Sequence, residues 1–256
     1  MNLLPLTSEE RKEILKQYNI TETQIKVNVE IIKEWKEKLP YLPTTITGLT
    51  LNLCLPLPKL TPKLERVILL KLKDTNPDIY DVEEYIHFNL AMTELSLQFD
   101  DSIGIRYMFD FEGFSFKHLL KFNPIPIAKH FEFIQKTYSC RISGVDCINL
   151  FPAFAGKLQA LLRQMLWGKL QERLKIYSDI NALYNLIPKE CLPSEYGGSC
   201  SNIPDLLRQW DEAFKNHKKF FIENYNNIAL EHLRPEDMKT NDEFGPDGTF
   251  KKLTVD

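Results

Sequence analysis

The sequence predicts an α/β fold on a mainly parallel sheet, and three observations lead there. Short apolar runs, Arg66-Val-Ile-Leu-Leu-Lys-Leu-Lys73 above all, read as strands buried on both faces. Segments with helical apolar spacing lie between those runs, which is the mark of βαβ units. The chain has 256 residues, 43% of them hydrophobic and 26% charged, enough for one such domain with helical additions and no need of disulfides.

The first element expected is a helix from Ser8, followed by Glu9 and Glu10 in its first turn, to about Tyr18. A second helix is predicted from Thr21, with Ile25, Val29, Ile32 and Trp35 along one face, ending before Pro40 and Pro43. Thr44 to Lys59, rich in Thr, Leu and Pro, reads as a strand with ragged connections. After the Arg66 strand, residues 74–77 supply a turn and Val82 to Phe99 a helix. Ile105 to Phe109 is a strand ending at Asp110-Phe-Glu-Gly113, and helices are expected over Phe116 to Phe122 and Ile127 to Tyr138, divided by Pro124 and Pro126. A strand over Gly144 to Ile148, a helical run from Phe154 to Leu174 and a strand at Lys175 to Tyr177 complete the sheet. Asn202 caps a final helix over Pro204 to Tyr225, with Leu206, Leu207, Trp210 and Phe214 turned inward, and the tail from His232 is polar.

Composition narrows the function classes. A formal net charge of −3 and a pI near 6.0 give no basic field for nucleic acid. The five cysteines, Cys54, Cys140, Cys147, Cys191 and Cys200, show no zinc-ligand spacing and are expected as free thiols in a reducing compartment. No secretory leader and no run of about 18 apolar residues is visible, so cytoplasm is the expected location and a monomer the expected state. No nucleophile elbow, phosphate loop, dinucleotide fingerprint or zinc-protease motif occurs, and the five histidines are dispersed; neither an enzyme, a metal nor a cofactor is expected. Asp110 and Glu112 stand at a strand end, where α/β proteins often keep function, but capping and turn formation is the simpler reading.

Two stretches hold candidate binding residues. Phe154, Leu158, Leu161, Leu162, Met165 and Leu166 fall at helical offsets and form a wide apolar stripe. Tyr107, Phe109, Phe122 and Phe133 add aromatics, an inventory suited to a large apolar pocket or equally to a filled core. Lys169 and Arg173 share a helix face, and with Arg141 they make a small basic group, ordinarily just a solvated one.

Leu192-Pro-Ser-Glu-Tyr-Gly-Gly198 resembles the signature of the CRAL-TRIO lipid-binding family. Phe109-Asp-Phe-Glu-Gly113, Arg141-Ile-Ser-Gly-Val-Asp-Cys-Ile-Asn149 and Lys169-Leu-Gln-Glu-Arg173 resemble further family motifs, in the family's order. The tail Phe244-Gly-Pro-Asp-Gly-Thr-Phe-Lys-Lys-Leu253 looks like that of arthropod members of the alpha-tocopherol-transfer-like and cellular-retinaldehyde-binding-like kind. The resemblance implies a partial N-terminal helical region over residues 1–45, a lipid domain over 46–202 and a C-terminal helix and tail over 203–256. It implies a sheet floor under a gate helix enclosing a lipid pocket, and transfer of a small hydrophobic lipid such as a tocopherol, retinoid or carotenoid. Ile105, Phe109, Phe133, Ile134, Ile142 and Val145 would line the pocket, and the stripe from Phe154 to Met165 would be the gate. Arg141, Lys169 and Arg173 would take a phosphoinositide headgroup at a transiently contacted membrane, and His87 and Ala91 map near a ligand's polar end. The chain departs from the family in three places. A helical segment expected between residues 43 and 53 is missing, Pro152 is one position late, and the gate ends Arg163-Gln-Met-Leu166. An interaction module that binds no lipid is the alternative.

Overall fold

The computed structural model describes residues 7–18, 52–121, 124–138, 140–166 and 169–226. The expected helix from Thr21, the boundary at residue 45, Phe122 and the tail from His232 lie outside the described residues.

Helix α1 is Ser8–Tyr18. Its cap is Thr7. The Glu10 N–H donates to Thr7 Oγ1 at 3.1 Å, and the Thr7 N–H donates to Glu10 Oε2 at 2.8 Å. This reciprocal pair satisfies donors that no helical carbonyl can reach.

Five strands form one sheet in chain order: β1 Asn52–Leu60, β2 Glu65–Leu72, β3 Gly104–Asp110, β4 Ile142–Ile148 and β5 Leu174–Ile176. β1 and β2 are an antiparallel hairpin with an irregularity between Pro56 and Leu60, and the other neighbours are parallel. The described part of the stretch that read as ragged, from Asn52 on, is thus a proline-bearing strand. Its carbonyls are held by side chains: Trp210 Nε1 donates to Pro56 O, and Arg66 Nη1 to Leu57 O and Pro58 O.

The successive parallel strands are joined by crossover connections that carry helices. Those helices are α2 Val82–Ser96, α3 Phe116–Lys121, α4 Pro124–Thr137, α5 Pro152–Met165 and α6 Lys169–Arg173. α2 is buried over Phe88 to Ser96, which explains the lack of a clean polar stripe in its sequence. α4 begins at Pro124, with Pro126 in its first turn, so the prolines open the helix; their missing N–H groups lack helical acceptors there in any case. The helical run expected from Phe154 to Leu174 is two elements, α5 and α6. Short helix α7, Ile180–Leu183, leads to turns of 3-10 helix at Lys189–Cys191 and Ser194–Tyr196. The single C-terminal helix expected is also two, α8 Ile203–Asn216 and α9 Lys218–Asn226, separated at His217. Asn202 caps α8 as predicted, accepting from the Asp205 N–H at 2.8 Å, and Leu206, Trp210 and Phe214 are buried while Leu207 is half-buried.

Candidate functional site: an apolar cavity above the sheet

The pleat decides which side chains face the helices. In register, Ile68, Tyr107 and Val145 are neighbours across three strands, and Leu70, Phe109 and Cys147 form the next row. Helix α2 brings Tyr85, Ile86 and Asn89 over this surface, α4 brings Ile127, His130 and Phe131, and Leu162 of α5 with Leu166 just beyond closes it. Between them is a cavity of about 80 Å³ whose walls are mostly aliphatic and aromatic. Pockets that enclose drug-sized ligands run to roughly 300–1,000 Å³, so a lipid enters only if part of the wall moves.

Of the residues named from the sequence, Tyr107, Phe109, Val145, Leu162 and Leu166 border this cavity. Ile105 and Ile142 pair with each other at the opposite end of the same sheet face and are packed in the core. Ile134 is fully buried in that core, and Phe133 and Leu161 pack against it. Leu158 belongs with Phe114 to a separate small cluster. Phe154 and Met165 lie on α5 but their side chains are outside the described residues. Sequence reading missed the α2 and α4 contributions, Tyr85, Asn89, His130 and Phe131. A histidine and an asparagine at inward helical positions were the signal that could have found them.

The cavity's polar wall is a hydrogen-bonded chain. Asn89 Nδ2 donates to Cys54 Sγ at 3.1 Å, and Asn89 Oδ1 faces His130 Nε2 at 2.9 Å. Burial without a charged partner pushes the His130 imidazole down to about 3. Below pH 6.5 the unfolded chain takes up a proton here that the folded chain refuses, so stability falls as pH drops from about 6.5 toward 3. The slope from this group is at most about 1.4 kcal/mol per pH unit. Urea midpoints at pH 7 and pH 5 are expected to separate more for the natural chain than for His130→Gln; equal separations would refute the assignment.

At the carboxyl ends of the strands the two clearest motifs meet. Asp110 is buried and accepts from Tyr196 Oη at 2.7 Å, Lys71 Nζ at 2.9 Å, Asn149 Nδ2 at 2.7 Å and the Glu112 N–H at 3.0 Å. Burial alone would raise its pKa, but these four donors outweigh it and hold the carboxyl below the ordinary value. Asn149 adopts a left-handed conformation, φ 56°, to reach it. The signature loop is shaped to deliver Tyr196. Gly197 has φ 66°, and a Cβ on Gly198 would stand 1.9 Å from Leu192 O. Asp110 is therefore a structural anchor beside the cavity, in line with its reading as a turn-forming residue.

The basic candidates lie at the other end of β4. Arg141, directly before the strand, is exposed and borders a polar groove with Lys63, Glu13 and Glu65. Lys169 is exposed at the start of α6, while Arg173 is half-buried and donates to Ile142 O. The structure thus brings Arg173 against the backbone next to Arg141, with Lys169 on the same short helix. Among the described residues, no group of three or more His, Cys, Asp or Glu is placed to hold a metal, and no helix is long and apolar enough to cross a membrane.

Comparison with known proteins places these observations. The CRAL/TRIO domain family matches residues 52–198. Clavesin-1 of Xenopus laevis is 26% identical over 136 residues, covering 51% of this chain and 40% of its own length. The alpha-tocopherol transfer protein-like protein of Mus musculus is 24% identical over 190 residues, 70% of this chain and 54% of its own. Its counterpart from Pongo abelii is 27% identical over 172 residues, 66% and 49% respectively. The chain thus spans about half the length, or less, of these curated relatives. The crystal structure of Sfh5 shares the fold, with a TM-score of 0.50 at 16% identity over 83% of this chain and 80% of that one.

Proposed function

The chain belongs to the CRAL/TRIO domain family, and from that premise we propose that it is a non-enzymatic carrier which encloses one small hydrophobic lipid between the sheet and α5. The supporting observation is the apolar cavity bounded by β3, β4, α2, α4 and the end of α5. Relatives named alpha-tocopherol transfer protein-like point to a ligand of tocopherol kind and size. Burying such a molecule's apolar surface is worth about 25 cal/mol per Å², which suffices for retention.

Helix α5 is the wall suited to move. It starts at Pro152 with no side-chain hydrogen bond at its cap, and a Cβ on Gly156 would touch nothing within 4 Å. That glycine is not required by packing, and a mid-helix glycine lowers helix stability by roughly 0.5–1 kcal/mol relative to alanine. Opening α5 would draw Leu162 and Leu166 away from the cavity and enlarge it.

Arg141, Lys169 and Arg173 are the residues we assign to an anionic lipid headgroup, a phosphoinositide, at the membrane where the lipid is exchanged. A guanidinium beside an ammonium suits phosphate. Because Arg173 also holds Ile142 O, the cleaner test removes the two exposed groups. Arg141→Ala with Lys169→Ala is expected to slow transfer to phosphoinositide-containing vesicles about tenfold and to leave retention in solution unchanged. Equal losses in both assays would contradict this division of roles.

The carrier reading itself is tested by native mass spectrometry of the purified chain and organic extraction of what it holds. One co-purifying lipid, or saturable uptake of a fluorescent tocopherol, retinoid or phosphatidylinositol, is the expected result. The small open volume favours a second reading, an interaction module that binds no lipid; a chain that purifies empty and takes up none of the three would establish it.

A further inference from the structure

Two residues that line the cavity each carry a buried polar atom with no hydrogen-bond partner among the described residues: the Tyr107 hydroxyl and Nδ1 of His130. Both side chains belong to residues more than nine-tenths buried, at 1% and 7% exposure. Folded proteins satisfy nearly all such groups, so two of them on residues bordering one apolar cavity point to a ligand that completes them.

Their chemistry specifies which. Asn89 spends Nδ2 on Cys54 and turns Oδ1, a pure acceptor, to His130 Nε2. The hydrogen of the imidazole therefore sits on Nε2, and Nδ1 offers a lone pair. Burial keeps the ring neutral and the Tyr107 phenol protonated. Tyr107 comes from the middle of β3, its ring meeting Phe131 edge-on at 5.8 Å, and His130 is the residue before Phe131 on α4. The two unpartnered atoms thus offer one donor and one acceptor, beside the phenols of Tyr80 and Tyr85, which also line the cavity, and the wall holds no free charge. Its lysine, Lys71, is held by Asp110 and Glu112.

We propose that Tyr107 and His130 form the polar end of the lipid pocket and that the group they take is a neutral hydroxyl, which makes the ligand a lipid alcohol or phenol. This rests on the carrier reading above and names its substrate class. A hydroxyl accepts from Tyr107 Oη–H and donates to His130 Nδ1, satisfying both atoms at once. A carbonyl or ether oxygen can use the tyrosine alone and leaves the histidine unpaired. A carboxylate or phosphate would bring charge to a wall that has no cation to spare for it.

The test uses two skeletons, oleyl alcohol and α-tocopherol, each against its own methyl ether, with binding followed by native mass spectrometry and tryptophan fluorescence. For at least one skeleton the free alcohol is expected to bind at least tenfold more tightly than the ether. In Tyr107→Phe, and separately in His130→Gln, that ratio is expected to fall to about threefold or less. Tyr107→Phe is isosteric apart from the hydroxyl, so without lipid its denaturation midpoint should equal or exceed that of the natural chain. Equal affinity of alcohol and ether in the natural chain, or an undiminished ratio in both variants, overturns the hydroxyl assignment while leaving the carrier reading intact. Failure of all four compounds to bind overturns the carrier reading, and the assignment with it.

Discussion

Asp110→Ala is expected to cost about 3–5 kcal/mol of unfolding free energy, the loss of several hydrogen bonds to one buried charge at about 1.5–3 kcal/mol each. The carboxylate is fully buried and receives four donors, from Tyr196, Lys71, Asn149 and the Glu112 backbone. Lys71 can turn wholly to Glu112, which is exposed, so its share of the loss is small. Asn149 and Glu112 are exposed and can turn to water, but the Tyr196 hydroxyl is buried and loses its partner outright. Tyr196→Phe should cost about 1.5–3 kcal/mol, the range for a hydrogen bond to a charged group. A double-mutant cycle between positions 110 and 196, read by urea denaturation, is expected to give a coupling of at least about 1 kcal/mol. Additive losses would mean that the signature loop is held by its own turns and not by Asp110.

The second large effect lies on the other sheet face. Arg106 bridges Glu65 at 2.9 Å and Asp146 at 2.7 Å, and Tyr177 Oη donates to Asp146 at 3.1 Å, all four half-buried or deeper. Burial pushes the Asp146 carboxyl up even with Arg106 and Tyr177 upon it. Arg106→Ala should therefore cost about 3–5 kcal/mol at pH 7. The cost should shrink at pH 5, where Asp146 without its arginine can take a proton and sit neutral. A loss that does not change between the two pH values would contradict the uncompensated carboxylate as its cause. Gly144 belongs to the same cluster, because a Cβ there would stand 2.3 Å from Arg106 Nη1. Gly144→Ala is expected to cost about 1–3 kcal/mol by overpacking, and far less in an Arg106→Ala background.

The strands and their order were legible because four-residue apolar runs and the glycine-paired loop are local signals. What the sequence hid was convergence. Tyr196, in the signature loop, and Asp110, read as a turn former, stand 86 residues apart, yet one hydrogen bond joins them. Ile105 and Phe109 alternate on the same strand face, and only the position of α2 and α4 decides that Phe109 borders the cavity while Ile105 is packed below it. His130 was one of five scattered histidines until α4 placed it opposite Asn89. The pleat gives facing, but not how far along a face the helices leave space. The break at His217 was missed for another reason: apolar spacing continues across it, so periodicity alone could not find the end of α8.

The prolines of β1 bear on a different property, solubility. Among the described residues β1 is an outer strand of the sheet, and an outer strand with free N–H and C=O groups is a template for pairing with another chain. Pro56 and Pro58 have no N–H to offer, and the carbonyls of Pro56, Leu57 and Pro58 are already engaged by Trp210 and Arg66. An incoming strand would find few donors and occupied acceptors along this border. The side chains that stitch β1 to the rest of the molecule thereby also disfavour pairing of one copy onto the next, a property that would suit the carrier proposed above.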